Sequence, residues 1–317
     1  MIEKSNGSFD LLEKSALKNL KDEVYSWKIE LPKDSKEKLK NLPKEIKNIV
    51  EEFLDDKTKD TLIFSQLTQK MTDENFSDVV DILTSNEEAA SRVLKLNISW
   101  NDITKIPWKI NDLKNISIFS AQKNKITKLP DDWDSSSITE INMNNNLLGS
   151  FCRQFSKISS LKKLYIKNNW ITIIPSQFIS LNSLEELNLG NDWTNNPNKL
   201  TNLKSTENSY EYFKWLQNLK TLNLSWVWLD SLPEEDISQH LLLLENLDLS
   251  NNNLTNLPDW IVNLWWTINL STNNLNNIPY LWKKPVTVKI LWNPWLSTIK
   301  WTREENYKNT NLALDYF

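Results

Sequence analysis

VLKLNISWNDITKIP, residues 93–107, is the stretch that decides the fold. Its apolar side chains stand at positions 1, 4, 6, 11 and 14, with asparagine at 9 and proline at 15. The frame recurs as ISIFSAQKNKITKLP (116–130), ITEINMNNNLLGSFC (138–152), LKKLYIKNNWITIIP (161–175) and LENLDLSNNNLTNLP (244–258). Another copy opens at Trp265 and continues as WTINLSTNNLNNIP (266–279). Three copies are degraded. One begins at Leu184 with Asp192 at position 9, followed by a polar insertion over 195–209. One covers 219–233 with Val227 at position 9, and the last, 285–300, keeps Ile290 and Asn293 but loses its tail. Position 9 then falls at 101, 124, 146, 169, 192, 227, 252, 273 and 293.

Positions 4 and 6 alternate with 3, 5 and 7, as a half-buried strand requires. One copy is too short to bury its own apolar face, so copies must stack on one another. An asparagine at position 9 can bond backbone groups in the turn that leaves the strand, and stacking makes a ladder of such bonds. Proline at 15 fixes φ where the chain enters the opposite side. Apolar residues three and six places later (Ile110 and Leu113, Phe178 and Leu181, Ile261 and Leu264) predict a short 3-10 turn packing inward.

The pattern LxxLxLxxNxLxxLP, with a period near 23, resembles the leucine-rich repeat family over about two thirds of the chain. The resemblance implies an α/β fold: a right-handed solenoid, or horseshoe, with a parallel sheet on its concave face. The expected division is a helical N-terminal region and cap over 1–92, a solenoid of about nine repeats over 93–300, and a C-terminal cap over 301–317. In the first region Leu39, Leu42, Ile46, Ile49, Val50, Phe53 and Leu54 recur at helical spacing, with Asp34 or Ser35 as the cap. Leu62, Phe64, Leu67 and Met71 predict a second helix, and Phe76, Val79, Val80 and Leu83 a third. Residues 36–91 then form the cap and 1–33 a mobile helix or tail. Leu312, Leu314 and Phe317 suit a short capping helix at the other end.

Composition narrows the function. A net charge of −4 gives no electrostatic case for nucleic acid. One cysteine excludes an intramolecular disulfide framework, and the longest apolar runs fall short of a membrane span. The first 20 residues do not read as a signal peptide, so the expected location is cytoplasmic, or that of a secreted effector without a cleavable leader. Chemistry is hard to build. One histidine, His240, cannot make a triad or a histidine metal cluster, and reads as a surface or packing residue. Cys152 follows Phe151 and reads as a buried small hydrophobe. Its alternative is a catalytic thiol, as in leucine-rich effectors with ubiquitin-ligase activity. Those carry a separate catalytic domain for which little chain remains. Acidic pairs such as Glu51 and Glu52, or Glu234 and Glu235, read as solvated faces, and no phosphate loop occurs. Neither an enzyme activity nor a cofactor nor a metal is expected.

The concave face remains. Its outward positions offer Lys95, Asn97, Gln122, Lys123, Glu140, Asn142, Asn144, Lys163, Tyr165, Lys167, Glu186 and Asn188, a mixed and fairly basic set with Tyr165 as the central aromatic. The partner-binding residues expected there are Lys95, Gln122, Lys123, Asn142, Asn144, Lys163, Tyr165, Lys167, Glu186 and Asn188. The expected function is a monomeric, non-catalytic module that binds a protein partner. The alternative is an effector or regulatory subunit acting on a signalling or ubiquitin-pathway enzyme. A surface-adhesion repeat protein is a third reading, disfavoured without a leader or anchor.

One compositional oddity remains. The chain has 3 glycines and 16 tryptophans, where ordinary usage gives roughly 22 glycines at this length. Trp100, Trp226 and Trp292 occupy position 8, and Trp170, Trp193 and Trp228 position 10, where a tight turn favours glycine. The pattern suggests UGA codons translated under the wrong code, since some bacterial lineages read UGA as glycine and others as tryptophan. Trp133, Trp265 and Trp295 fall where an apolar side chain is expected and read as genuine. The competing reading is a Trp-rich binding surface.

Overall fold

The computed structural model describes residues 29–133, 136–150, 152–174, 180–192, 196–200, 216–264, 266–276, 278, 286–293 and 310–311. The described strands form one parallel sheet of eleven, ordered along the chain without a crossover. They are β1 (Thr61–Ile63), β2 (Lys95–Asn97), β3 (Ile118–Ser120), β4 (Glu140–Asn142), β5 (Lys163–Tyr165), β6 (Glu186–Asn188), β7 (Thr221–Asn223), β8 (Asn246–Asp248), β9 (Trp266–Asn269), β10 (Val286–Lys289) and β11 (Thr310–Asn311). Strands β2 to β8 fall on positions 3 to 5 of their copies, and β9 and β10 on positions 2 to 5. The position 4 residue of each points inward. Leu96, Phe119, Ile141, Leu164, Leu187, Leu222, Leu247, Ile268 and Val288 are all buried in one continuous core. Each such side chain contributes roughly 1.5–3 kcal/mol. No copy could bury its own, so the array holds together only as a stack.

Behind the sheet the chain turns through short 3-10 segments, Trp108–Asp112, Arg153–Lys157, Ser238–His240 and Asp259–Asn263. Ile110, Leu113, Ile261 and Leu264 are buried there, as their spacing predicts.

The position 9 asparagines form the expected ladder. Asn124 donates from Nδ2 to the carbonyls of Ile98 (2.9 Å) and Ala121 (3.1 Å), and its Oδ1 accepts from the Ile103 amide at 3.0 Å. Asn101, Asn146, Asn252, Asn273 and Asn293 repeat this arrangement. The fifth copy departs from the sequence reading. Its ladder residue is not Asp192 but Asn198, which donates to the Ile166 carbonyl at 3.0 Å and to the Leu189 carbonyl at 2.8 Å. The extra residues therefore begin between the strand and the ladder, not after it. Val227 has no side-chain amide to offer in the sixth copy, and its backbone carbonyl takes the Leu200 amide at 2.9 Å instead.

The N-terminal cap holds α1 (Lys33–Asn41), α2 (Lys44–Asp55), α3 (Asp73–Thr84) and α4 (Glu87–Arg92). The single helix expected over 39–54 is two, because Pro43 drives Leu42 to an extended conformation (ψ 146°). Neither Asp34 nor Ser35 caps α1; its N-cap is Pro32, without a side-chain bond. The helix expected from Leu62, Phe64, Leu67 and Met71 is instead strand β1 and the turn after it. Leu62 and Phe64 are fully buried neighbours of the same strand face, and β1 pairs with β2 in register, Leu62 beside Leu96. The Phe64 carbonyl accepts from Asn101 Nδ2 at 2.8 Å and the Met71 amide donates to Asn101 Oδ1 at 2.7 Å. These residues close the end of the ladder in the way that the preceding copy does elsewhere. The sheet thus starts within the region read as helical. Helix α3 carries a capping box between Thr72 and Asn75. Lys38 pairs with Asp78 at 3.1 Å, and Lys109 reaches from the array to Asp81 of α3 at 2.7 Å. The tail expected over 1–33 lies outside the described residues up to 28, as do 195 and 201–209 of the insertion and most of the C-terminal cap.

Candidate functional site

The register stacks outward positions of successive strands into rows. Glu140, Lys163 and Glu186 are direct neighbours in one row, and Asn142, Tyr165 and Asn188 in the next. Every sequence-predicted residue on these strands therefore reaches the concave face. Asn142, Lys163, Tyr165, Glu186 and Asn188 are half-buried by their neighbours, and Lys95 at one end is exposed. Gln122 and Lys123 stand in the turn after β3, and Asn144 and Lys167 in those after β4 and β5.

A centre forms around Tyr165. Its hydroxyl donates to Glu186 Oε2. Lys163 pairs with the other Glu186 oxygen at 3.2 Å. Lys167 pairs with Asp192 at 2.8 Å, and its amide donates to Asn144 Oδ1 at 2.8 Å. Asn168 bridges Asn145 (2.8 Å) and Asp192 (2.7 Å) from Nδ2. Burial raises the Tyr165 hydroxyl's pKa above the ordinary tyrosine value, and the Glu186 carboxylate raises it further. The centre of the patch read from sequence as fairly basic is thus charge-balanced, because Lys163 and Lys167 both meet carboxylates. Sequence spacing could not show this for Lys167, since its partner Asp192 sits at a departure from the repeat.

Sequence reasoning also missed what the position 5 side chains do. The Oδ1 atoms of Asn97, Asn142, Asn188, Asn223, Asp248 and Asn269 each accept from the amide two residues on, at 2.9–3.2 Å. These Asx turns end the strands. Asn142 and Asn188 therefore each have a structural bond before any partner arrives. A second line of charge runs beside the face, where Glu185 takes Lys162 at 3.3 Å and Lys220 at 2.7 Å.

Two comparisons agree with this geometry. The family model described as Leucine Rich Repeat matches residues 160–181 and 243–264. The solenoid is a leucine-rich repeat array. Among solved structures, a leucine-rich repeat protein of Leptospira interrogans aligns with a TM-score of 0.54 at 21% identity, over 70% of this chain and 64% of that one. TLR13, solved in a TLR13–ssRNA13 complex, aligns with a TM-score of 0.55 at 20% identity, over 69% of this chain and 34% of its own. This chain therefore spans less than two thirds of either protein. No curated protein matches the sequence.

Elsewhere on the leucine-rich repeat array, Cys152 is buried beside the 3-10 segment Arg153–Lys157. Burial pushes its thiol up to about 11, the opposite of what a nucleophile needs. His240 ends the segment Ser238–His240 and is half-buried. Among the described residues, no group of three or more His, Cys, Asp or Glu is placed to hold a metal ion, and no helix is long and apolar enough to cross a membrane.

Proposed function

We propose that the chain is a non-catalytic module that docks a protein partner on its concave sheet, through Lys95, Gln122, Lys123, Asn142, Asn144, Lys163, Tyr165, Lys167, Glu186 and Asn188. The observation that carries this reading is the Tyr165 centre. A half-buried aromatic stands among four flanking charges, Lys163, Lys167, Glu186 and Asp192, on a stiff strand array. Tyrosine gives large contact area at low entropy cost, and charges that are already paired hold their geometry before the partner arrives. A balanced patch selects a partner by complementary pattern instead of net charge. The location proposed is cytoplasmic, with the array acting as a monomer. The alternative, an effector or regulatory subunit of a signalling or ubiquitin-pathway enzyme, draws no support from the thiol of Cys152.

The test is affinity capture from the source cells with the wild-type chain and a Lys163→Ala/Tyr165→Ala/Lys167→Ala variant. A Glu234→Ala/Glu235→Ala variant, changed in the exposed segment after Pro233, is the control. A partner lost from the first variant alone, with the circular-dichroism melt unchanged, supports the reading. A partner retained by the first variant removes the concave face from consideration.

A further inference from the structure

Eleven residues other than glycine have positive φ among the described residues, and five of them are tryptophan: Trp100 (66°), Trp170 (59°), Trp226 (60°), Trp228 (64°) and Trp292 (58°). The others are Gln66, Lys123, Asn145, Asn168, Asn251 and Thr272. Asparagine enters this left-handed region readily, whereas a bulky aromatic there is an outlier. An array in which one such indole recurs five times calls for an explanation.

Position 10 is the more telling site. Asp102, Lys125, Leu147, Lys199, Asn253 and Asn274 hold that position in other copies, none with positive φ. Among the described residues the backbone turns left-handed there only at Trp170 and Trp228, and the hydrogen bonds show why. Asn198 Oδ1 accepts from both the Asn169 and the Ile171 amides, each at 2.9 Å. Asn252 Oδ1 accepts from both the Val227 and the Leu229 amides, at 3.1 and 3.0 Å. Two amides separated by one residue converge on a single oxygen when the residue between them is left-handed, the geometry of a backbone nest. The fold demands that conformation, and glycine adopts it without strain.

Burial separates the extremes. Four of the five left-handed tryptophans, Trp100, Trp170, Trp228 and Trp292, are 50, 51, 49 and 73% exposed, and Trp226 is half-buried. Trp108 is 68% exposed with ordinary backbone, so it is the backbone and not exposure that marks the five. Trp133 and Trp260 are 1 and 4% exposed, with ordinary backbone. Trp133 packs edge-on against Phe119 at 5.2 Å, and Trp260 donates from Nε1 to the Pro233 carbonyl at 2.9 Å. We infer that the protein made by the source cell carries glycine at 100, 170, 226, 228 and 292, and tryptophan at 133 and 260. The five are UGA codons that the cell decodes as glycine. The exposed indoles are then absent from the native surface, including the one whose face lies 3.6 Å from Lys123 Nζ. Lys123 is consequently free of that contact, and Tyr165 becomes the aromatic that marks the concave centre.

Peptide mass spectrometry of the protein from its source cells tests this without reference to any partner. Trypsin releases 96–105 with Trp100, 290–300 with Trp292, and 129–153 with Trp133. Glycine masses for the first two and a tryptophan mass for the third support the assignment. Tryptophan at either 100 or 292 overturns it, and glycine at 133 overturns the sorting by geometry. A second readout uses recombinant protein. Replacing all five left-handed tryptophans with glycine raises the melting temperature by several degrees, while Trp133→Gly lowers it. A lower melt for the fivefold variant overturns the claim that glycine relieves strain at these left-handed positions.

Discussion

Asn198 donates from Nδ2 to the Ile166 carbonyl at 3.0 Å, across 32 positions of sequence. This bond carries the ladder past the largest irregularity in the array. Asn198 is fully buried, and it also bonds the Leu189 carbonyl and the Asn169 and Ile171 amides.

Asn198→Ala leaves those groups buried without partners, at a cost of about 2–4 kcal/mol. Asp192→Ala removes a half-exposed carboxylate that pairs with Lys167 at 2.8 Å and accepts from Asn168 at 2.7 Å; Asn168 keeps its bond to Asn145, so the cost is about 1 kcal/mol. Urea unfolding of both variants checks the contrast. Equal losses would return position 9 of the fifth copy to Asp192.

The array was legible because one residue type recurs at one position for one physical reason. Asn101, Asn124, Asn146 and Asn169 each donate from Nδ2 to a buried carbonyl of the preceding turn, so their spacing reports the strands directly. The fifth copy misled because Asn191, Asp192 and Asn198 crowd the same stretch, and an Asp at the expected interval looks like a degraded Asn. Strand β1 misled for a related reason. Leu67 stands where the asparagine should be, and Leu62, Leu67 and Met71 fit a helical face as well as a strand with its turn. At the candidate site, residue types were readable but pairings were not. The bond from Tyr165 to Glu186 needs the β5–β6 register, which sequence spacing alone does not show.

The N-terminal strand gives the second prediction. Phe64 is fully buried and Gln66 is exposed at φ 65°. Phe64→Ala costs about 3–5 kcal/mol. Gln66→Gly relieves the left-handed backbone and stabilises by up to about 1 kcal/mol. A helix over 62–71 would give the opposite sign for the glycine variant, since glycine weakens helices. Thermal melts of the two single variants decide.

Cys152 supplies a pH dependence. Burial holds its thiol near 11, from an ordinary value of 9.0. A folded value above the unfolded one means that the unfolded chain loses the proton first as pH rises. The contribution is therefore fully present below pH 9 and declines between about 9 and 11, by about 2–3 kcal/mol in all. Cys152→Ala removes this slope from urea unfolding measured across that range. Iodoacetamide should label the native chain slowly at neutral pH and the unfolded chain quickly. Rapid labelling of the native chain would bring back the nucleophile reading.

Glu186 joins the aromatic and one cation of the concave centre, taking the Tyr165 hydroxyl and the Lys163 ammonium at 3.2 Å. Burial is the largest cause of the raised Tyr165 ionisation, and the carboxylate adds to it. Glu186→Gln removes the negative charge, so tyrosinate forms at lower pH, while burial keeps it above the ordinary tyrosine range. The change is read as the ultraviolet difference titration between each chain and its Tyr165→Phe counterpart, which isolates this residue from the other six tyrosines. The same substitution leaves Lys163 without its carboxylate and makes the centre net positive. A partner that recognises the balanced pattern should then bind more weakly to Glu186→Gln than to Tyr165→Phe, which keeps every charge. Binding weakened equally by both would mean that the hydroxyl bond, and not the charge pattern, is what the partner reads.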